Sequence, residues 1–181
     1  MKKIILSVLF LVIMAILIFL DMSGLFFPIR IEEKEAGPYV LVYADHIGDY
    51  KNISKIMDMI YTSLRDTEKI QTSRGMGIYF DDPKTVSADK LRSIAGSILD
   101  EKDWDKIPQL ENRYKVKRIP VQRMVTAEFP FENQLSVMIG VLRVYPKLSV
   151  YMKEKGYTGK EATEIYDMPN KKILYMFPIA Q

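Results

Sequence analysis

The stretch Gly77-Ile78-Tyr79-Phe80-Asp81-Asp82-Pro83 has a counterpart about 87 positions later, Glu164-Ile165-Tyr166-Asp167-Met168-Pro169. A second pair, Leu41-Val42-Tyr43-Ala44-Asp45 and Met124-Val125-Thr126-Ala127-Glu128, is offset by 83. Each member of the first pair follows a helical stretch and leads into a further apolar strand. The sequence therefore predicts one β-α-β-β unit used twice, with a longer helix in the second copy.

The two copies differ where the first has Gly77 and the second has Glu164. Because alternate residues of a strand share a face, Glu164 and Tyr166 project together, and by the repeat so do Gly77 and Tyr79. A carboxylate in one half opposite open space in the other indicates a pocket. The predicted ligand-binding residues are Glu164, Tyr166, Tyr79 and Gly77, a set suited to a cationic or hydrogen-bonding lipophilic molecule. The alternative is that Glu164 is a strand-surface acid paired with a lysine.

The opposite face of these strands carries Met76, Ile78 and Ile165 and is expected to meet the helices or the sheet interior. Two amphipathic helices are predicted. The first has an apolar stripe of Ile53, Ile56, Met57, Ile60 and Leu64; the second, at roughly 132–155, has Leu135, Met138, Ile139, Leu142, Leu148, Tyr151 and Met152 inward. Pro146 is expected to kink or restart the second helix, because proline lacks the amide donor.

The N-terminus carries an apolar run from Ile4 to Leu20 that is interrupted only by Ser7. Seventeen helical residues span about 25 Å, so residues 1–22 are predicted to be a membrane anchor, with a short linker at 23–28 and a domain at 29–181. The stretch Asp21-Met22-Ser23-Gly24 is a poor cleavage site, which favours an uncleaved, single-pass signal-anchor over a removed signal peptide. Lys2 and Lys3 favour a cytoplasmic N-terminus, which would place the domain on the extracytoplasmic side.

Composition narrows the function classes. The absence of cysteine excludes disulfides and thiolate chemistry. The chain carries 26 basic and 23 acidic residues, and two of the basic ones precede the apolar run. Such a near balance argues against nucleic-acid binding through a basic face. The basic stretch Lys115–Arg118 is interpreted as a solvated strand edge.

The residues offer little for catalysis. The sequence has one histidine, no Gly-rich phosphate loop and no His/Asp/Glu spacing typical of a metal site, so no catalytic residue, metal or cofactor is predicted. His46, beside Gly48, is interpreted as a turn residue. Glu164 would serve as a general acid if burial raised its pKa, but a lone acid specifies no reaction.

The motif His46-x-Gly48-x-Tyr50 follows a strand, another strand ends in Asp82-Pro83, and Glu164-Ile165-Tyr166 is followed later by Phe177-Pro178-Ile179. Together these motifs resemble the GyrI-like small-molecule-binding domain family. The resemblance implies an α+β fold with an antiparallel sheet, two main helices and two β-α-β-β repeats, at about 38–99 and 114–180. It also implies a pseudo-twofold axis with a ligand cleft at the junction of the repeats. It further implies that Glu164 is the cleft glutamate that members use toward cationic lipophilic compounds.

Two further stretches, Val125–Pro130 and Arg143–Leu148, are similar to one branch of this family, the membrane-anchored, testis-expressed reticulophagy receptors of animals. Those receptors carry a long acidic tail, and this sequence ends at Gln181, so an autophagy role is not expected to carry over. Their domain faces the cytosol, in conflict with the orientation that Lys2 and Lys3 favour.

These observations predict a membrane-tethered, non-catalytic module that binds a small lipophilic or cationic ligand. The alternatives are a membrane-tethered adaptor for a protein partner not yet identified, and a hydrolase of strained electrophiles that uses Glu164. Tetrapyrrole binding, which would depend on His46, is a weaker option.

Overall fold

The computed structural model describes residues 2–180; Met1 and Gln181, the outer ends of the predicted anchor and domain, lie outside the described residues. The helices are α1 (Lys2–Met22), α2 (Ile53–Asp66), α3 (Ile107–Leu110) and α4 (Gln134–Lys155). The strands are β1 (Ile31–Ala36), β2 (Tyr39–Ile47), β3 (Arg74–Tyr79), β4 (Arg92–Ile98), β5 (Lys115–Ile119), β6 (Gln122–Pro130), β7 (Ala162–Asp167) and β8 (Lys172–Pro178).

All eight strands form one curled antiparallel sheet in the order β1-β6-β8-β7-β3-β4-β2-β5. Repeat one supplies β3-β4-β2 and repeat two supplies β7-β8-β6, so the two halves meet at the β3–β7 pair. β1 and β5 extend the sheet at its two edges. The α+β fold and its repeat are therefore confirmed, and the basic stretch at 115–118 does lie on an edge strand.

The β3–β7 register locates the pseudo-twofold axis. Gly77 pairs directly with Glu164. These two residues are also equivalent by the repeat offset, so each faces its own counterpart across the ladder. An antiparallel pair related by twofold symmetry has one such self-facing position, and the axis passes through it. The glycine and the carboxylate that distinguish the two copies thus lie side by side at the centre of the sheet.

The two faces of the sheet are covered differently. On the Glu164 face, Met57 of α2 approaches Gly77 and Tyr145 of α4 reaches Glu164. On the other face, Met76, Ile78 and Ile165 belong to a core cluster built from strand residues and their immediate neighbours. Helices α2 and α4 therefore lie on the Glu164 face. The opposite face, which was expected to meet either the helices or the sheet interior, meets the sheet interior.

The helices confirm part of the predicted inward faces. In α2, Ile53, Ile60 and Leu64 are buried as predicted. The buried stripe of α4 comprises Ser136, Ile139, Gly140, Val144, Leu148 and Met152. The prediction for Met138 and Leu142 was wrong, because these side chains are 62% and 71% exposed, respectively. They lie on the opposite side of the helix from Gly140, whose missing side chain lets α4 approach the sheet.

Helix α4 runs through Pro146 as one element, so the predicted restart does not occur. Asn133 caps its N-terminus by accepting hydrogen bonds from the backbone of Leu135 and Ser136. Gly156 ends it in the left-handed conformation, at φ 71°, which glycine adopts without strain. Pro146 is exposed, so water can hydrate the carbonyl group that its missing amide leaves free.

Candidate functional site

Glu164 is the central residue of the site. Its side chain lies on the helix side of β7 and is only 3% exposed. Gly77 of β3 and Tyr175 of β8 are its neighbours on the two flanking strands. A glutamate this deeply buried requires compensating interactions, because removing a carboxylate from water is costly.

Three tyrosine hydroxyl groups donate hydrogen bonds to this carboxylate. Tyr79 donates to Oε2 at 3.1 Å and Tyr166 donates to the same oxygen at 2.6 Å. Tyr145, which comes from α4, donates to Oε1 at 2.6 Å. The sheet therefore supplies two donors and the helix above it supplies the third. The alternative prediction, a surface acid paired with lysine, does not describe this residue.

The carboxylate is hydrogen-bonded but not neutralised. Among residues 2–180, no lysine, arginine or histidine forms a salt bridge with Glu164. Burial raises the pKa of Glu164, and the three tyrosine hydrogen bonds oppose that rise in part. Burial, together with the negative charge of Glu164, also raises the pKa values of Tyr79, Tyr145 and Tyr166. The site is thus a negative or proton-sharing centre surrounded by neutral phenols.

Gly77 lies where the repeat predicts, but the space beside it is occupied. A Cβ atom added to Gly77 would lie 3.0 Å from the hydroxyl oxygen of Tyr79 and 3.2 Å from the terminal methyl group of Met57. The ring of Tyr79 folds back over its own strand to reach Glu164 and passes over the glycine. The expectation of open space at Gly77 therefore differs from the structure, in which glycine makes room for a tyrosine.

Aromatic rings surround the carboxylate. Tyr50 contacts the ring of Tyr79 edge-on, with centroids 4.8 Å apart. Tyr145 makes similar contacts with Tyr175 at 5.4 Å and with Phe177 at 6.0 Å. Such ring pairs add stabilisation beyond their buried area, and their faces attract cations. The arrangement combines a charge for orientation with aromatic surface for contact.

Tyr175 is the one buried side chain of the site with an unused polar atom. Its side chain is fully buried, and its hydroxyl group has no hydrogen-bond partner among the residues that the structure describes. The hydroxyl points at Gly140 of α4, where an added Cβ atom would overlap it. Burial raises the pKa of Tyr175, so the phenol is neutral.

The structure thus brings together Glu164, Tyr166, Tyr79 and Gly77, all four of the predicted residues. Sequence reasoning missed Tyr145 and Tyr175. The available signal for Tyr175 was its β8 position, since a strand antiparallel to β7 must place one residue beside Glu164. Tyr145 gave no comparable signal, because the apolar residues of α4 do not show which side of the helix faces the sheet.

Other candidate groups lie away from this centre. His46 is a residue of β2 rather than of a turn, so that prediction was wrong, and its Nδ1 lies 3.1 Å from the Ser93 hydroxyl oxygen. Within residues 2–180, no cluster of three or more His, Asp or Glu side chains is arranged to hold a metal ion. A cavity of about 90 Å³ opens on the other face of the sheet and is lined in part by Tyr39, Met76 and Thr163.

Comparison with solved structures places this fold among known ones. The C-terminal domain of EcmrR shares it at a TM-score of 0.58 and 13% identity, covering 84% of this chain and 98% of that domain. SAV2435, solved bound to tetraphenylphosphonium, shares it at a TM-score of 0.53 and 9% identity, covering 83% of this chain and 94% of that one. At these identities the likeness concerns the fold alone.

Sequence comparison identifies nearer relatives. Human testis-expressed protein 264 is 30% identical over 94% of this chain and 55% of its own length. The homologous mouse protein is 30% identical over 78% of this chain and 45% of its own length. The chain thus spans about half the length of these relatives. Residues 27–179 match the family described as the GyrI-like small molecule binding domain. The chain therefore belongs to the GyrI-like family.

Proposed function

We propose that this chain is a membrane-anchored, non-catalytic module that binds a lipophilic cation or a similar cationic small molecule at Glu164. The observation that carries the proposal is a buried carboxylate with three tyrosine donors and no protein counter-ion among the described residues. A buried charge is normally paired, and leaving one unpaired costs several kcal/mol. A ligand cation would supply the missing charge, and the tyrosine rings would contact its apolar groups.

Access to Glu164 requires a side chain to move, since the carboxylate is buried. Tyr145 and Tyr166 are themselves only partly buried, so they are the donors nearest to solvent. We expect displacement of either ring to expose the carboxylate while the other two hydrogen bonds remain. The tetraphenylphosphonium bound by SAV2435, which shares this fold, is a suitable probe because it is a lipophilic cation with aromatic groups.

The binding experiment uses the full chain in mild detergent with tetraphenylphosphonium. At about 100 times the dissociation constant, a ligand that binds only the folded state stabilises it by about 2.7 kcal/mol. Glu164→Gln is expected to abolish this shift. Glu128→Gln is the matched control, because that carboxylate is already neutralised by Lys34 and Lys172. Equal shifts in both variants would refute the assignment of the site to Glu164.

The anchoring part of the proposal depends on α1. This helix is long and apolar enough to cross a membrane, contains an 18-residue stretch with a mean hydropathy of 3.0, and buries none of its residues in the domain. We expect the chain to remain in the bilayer after alkaline extraction. The double substitution Leu11→Arg and Ile13→Arg is expected to release it, since arginine is costly at the centre of a membrane helix. Release of the unsubstituted chain would contradict the anchor.

A further inference from the structure

A second surface of the molecule is apolar and uncovered. Helix α4 is 22 residues long; an 18-residue stretch of it has a mean hydropathy of 1.2, which is apolar enough to cross a membrane, yet only a third of that stretch is buried in the domain. On its outer side Met138 is 62% exposed and Leu142 71% exposed, and Val141 between them is also exposed. The domain's own core leaves this side of the helix without a partner.

The same helix is fixed to the end of α1. The chain turns sharply after Met22, and Ser23 and Gly24 are buried against the domain. Asn133, the N-cap of α4, donates a hydrogen bond to the hydroxyl oxygen of Ser23 at 3.0 Å. Arg143 donates to the carbonyl oxygen of Gly24 at 2.6 Å. The first ten residues of α4 therefore lie beside the point where the apolar helix meets the domain.

Exposed apolar residues continue across this junction. Met22 and Phe26 are exposed, and Phe27 contacts the ring of Phe129 edge-on at 5.8 Å. Exposed apolar residues therefore lie on both sides of the junction, at residues 22–27 and at Met138 and Leu142 of α4, and hydrogen bonds hold Ser23 and Gly24 between them to the domain.

The charges of α4 also suit a membrane surface. Arg143, Lys147, Lys153 and Lys155 are basic, and Glu154 is its single acidic residue. Helices that lie in the membrane interface combine an apolar side with lysine and arginine, whose long side chains reach the headgroups.

We propose that the outer face of α4 around Met138 and Leu142 lies in the headgroup region of the same bilayer that α1 spans. The partner is a phospholipid surface, and the contact holds the domain in a fixed orientation. Interfacial helices bury their apolar side about 5–10 Å into the boundary between headgroups and acyl chains. This inference depends on the proposed anchoring by α1, and its test separates the two.

The test uses the absence of cysteine, which allows one fluorophore to be placed at each chosen position. Leu11→Cys, Leu142→Cys and Ile47→Cys are labelled separately in the full chain. Each protein is reconstituted into phosphatidylcholine–phosphatidylglycerol vesicles that contain lipids with shallow or deep nitroxides. Ile47 is the matched control, because it is also 71% exposed but lies at the end of β2, five strands from β6. We expect deep nitroxides to quench the Leu11 probe, and shallow ones to quench the Leu142 probe several times more than the Ile47 probe.

Each other result overturns the inference. Quenching at Leu11 with equal, weak quenching at Leu142 and Ile47 would leave the anchor intact and refute the contact of α4. An unquenched Leu11 probe would refute the anchor itself and the contact with it. If the Leu142 probe is shielded in detergent and becomes exposed on dilution, a second copy of the chain covers this face instead of lipid.

A substitution beside the probe provides a second measurement. Met138→Glu in the protein labelled at Leu142 should reduce shallow quenching several-fold, because a carboxylate resists burial among acyl chains. Ile47→Glu in the same labelled protein should change nothing. Equal effects of the two substitutions, or no effect of either, would also overturn the proposal. Both positions are exposed, so neither change is expected to unfold the domain.

Discussion

The contact between Gly140 and Tyr175 permits a quantitative test of how α4 packs over the site. A Cβ atom added at Gly140 would overlap the Tyr175 hydroxyl group and would lie 3.1 Å from Cδ1 of Phe129. Both rings are fully buried, so neither can turn away without disturbing its neighbours. On helix propensity alone, Gly140→Ala would stabilise the protein by about 0.5–1 kcal/mol. We expect it instead to destabilise the protein by about 1–3 kcal/mol through overpacking.

Removing the Tyr175 hydroxyl should reverse this effect. Tyr175→Phe deletes a buried polar atom that has no partner among the described residues, and we expect it to stabilise the protein by about 1–3 kcal/mol. In the double variant, the methyl group added at position 140 lies against the edge of the ring at position 175, where no hydroxyl group remains. The two substitutions should therefore be non-additive, with a favourable coupling of about 1–3 kcal/mol.

The assay is urea unfolding of the full chain in detergent for the four proteins of the cycle. Ser149→Ala, at an exposed position of the same helix, reports the propensity effect alone. For a domain of this size, 1 kcal/mol corresponds to about 2–4 °C in Tm, so thermal unfolding provides an independent check. Stabilisation by Gly140→Ala alone, or strict additivity, would refute the packing of α4 on Tyr175.

Three further predictions concern the site and its supports. The pKa of Glu164 is 4.5 in the unfolded chain and is raised by burial in the folded one. The unsubstituted protein should therefore lose stability as the pH rises from 4.5 to the folded-state pKa, because the folded state resists ionisation of Glu164. The unfolding free energy of Glu164→Gln, relative to the unsubstituted chain, should therefore rise with pH across this window in urea titrations; a flat difference would contradict the shift. Gly77→Leu should lower the free energy of unfolding by about 1–3 kcal/mol, since the leucine side chain would enter space held by Tyr79. It should also abolish tetraphenylphosphonium binding in calorimetry. Unchanged stability would support the open space that the sequence predicted at Gly77. Asn133→Ala should cost about 0.5–2 kcal/mol in the same unfolding assay through the lost cap of α4, and no loss would refute that cap.

The repeat made much of the fold predictable. Two offset pairs of strands were enough to predict the β-α-β-β unit, and strand alternation placed Glu164 and Tyr166 on one face. The same symmetry requires that one pair of equivalent residues face each other where equivalent strands meet antiparallel, but only the register shows that this pair is Gly77 and Glu164. These features depend on strand geometry, which has a fixed period of two residues.

The remaining features depend on packing that the sequence does not encode locally. Met138 and Leu142 are as apolar as Ile139, so hydrophobicity does not decide which side of α4 faces the sheet. That side is decided by Gly140, whose missing side chain leaves room for the Tyr175 ring beneath the helix. The space at Gly77 was mispredicted for a related reason, since alternation tells which face Tyr79 occupies but not that its ring folds back toward Glu164.

Helix α4 connects the candidate ligand site to the N-terminal helix. Among the described residues, the strand donors to Glu164 come from β3 and β7, adjacent strands fixed in register at the sheet centre, whereas Tyr145 comes from α4. Two residues earlier on the same helix, Arg143 donates to the Gly24 carbonyl oxygen. Because a helix moves nearly as a rigid body over so short a span, a ligand that displaces the backbone at Tyr145 must also displace Arg143. If ligand entry moves α4 as well as the Tyr145 ring, affinity at Glu164 should respond to whatever holds α4 beside the end of α1, including a bilayer.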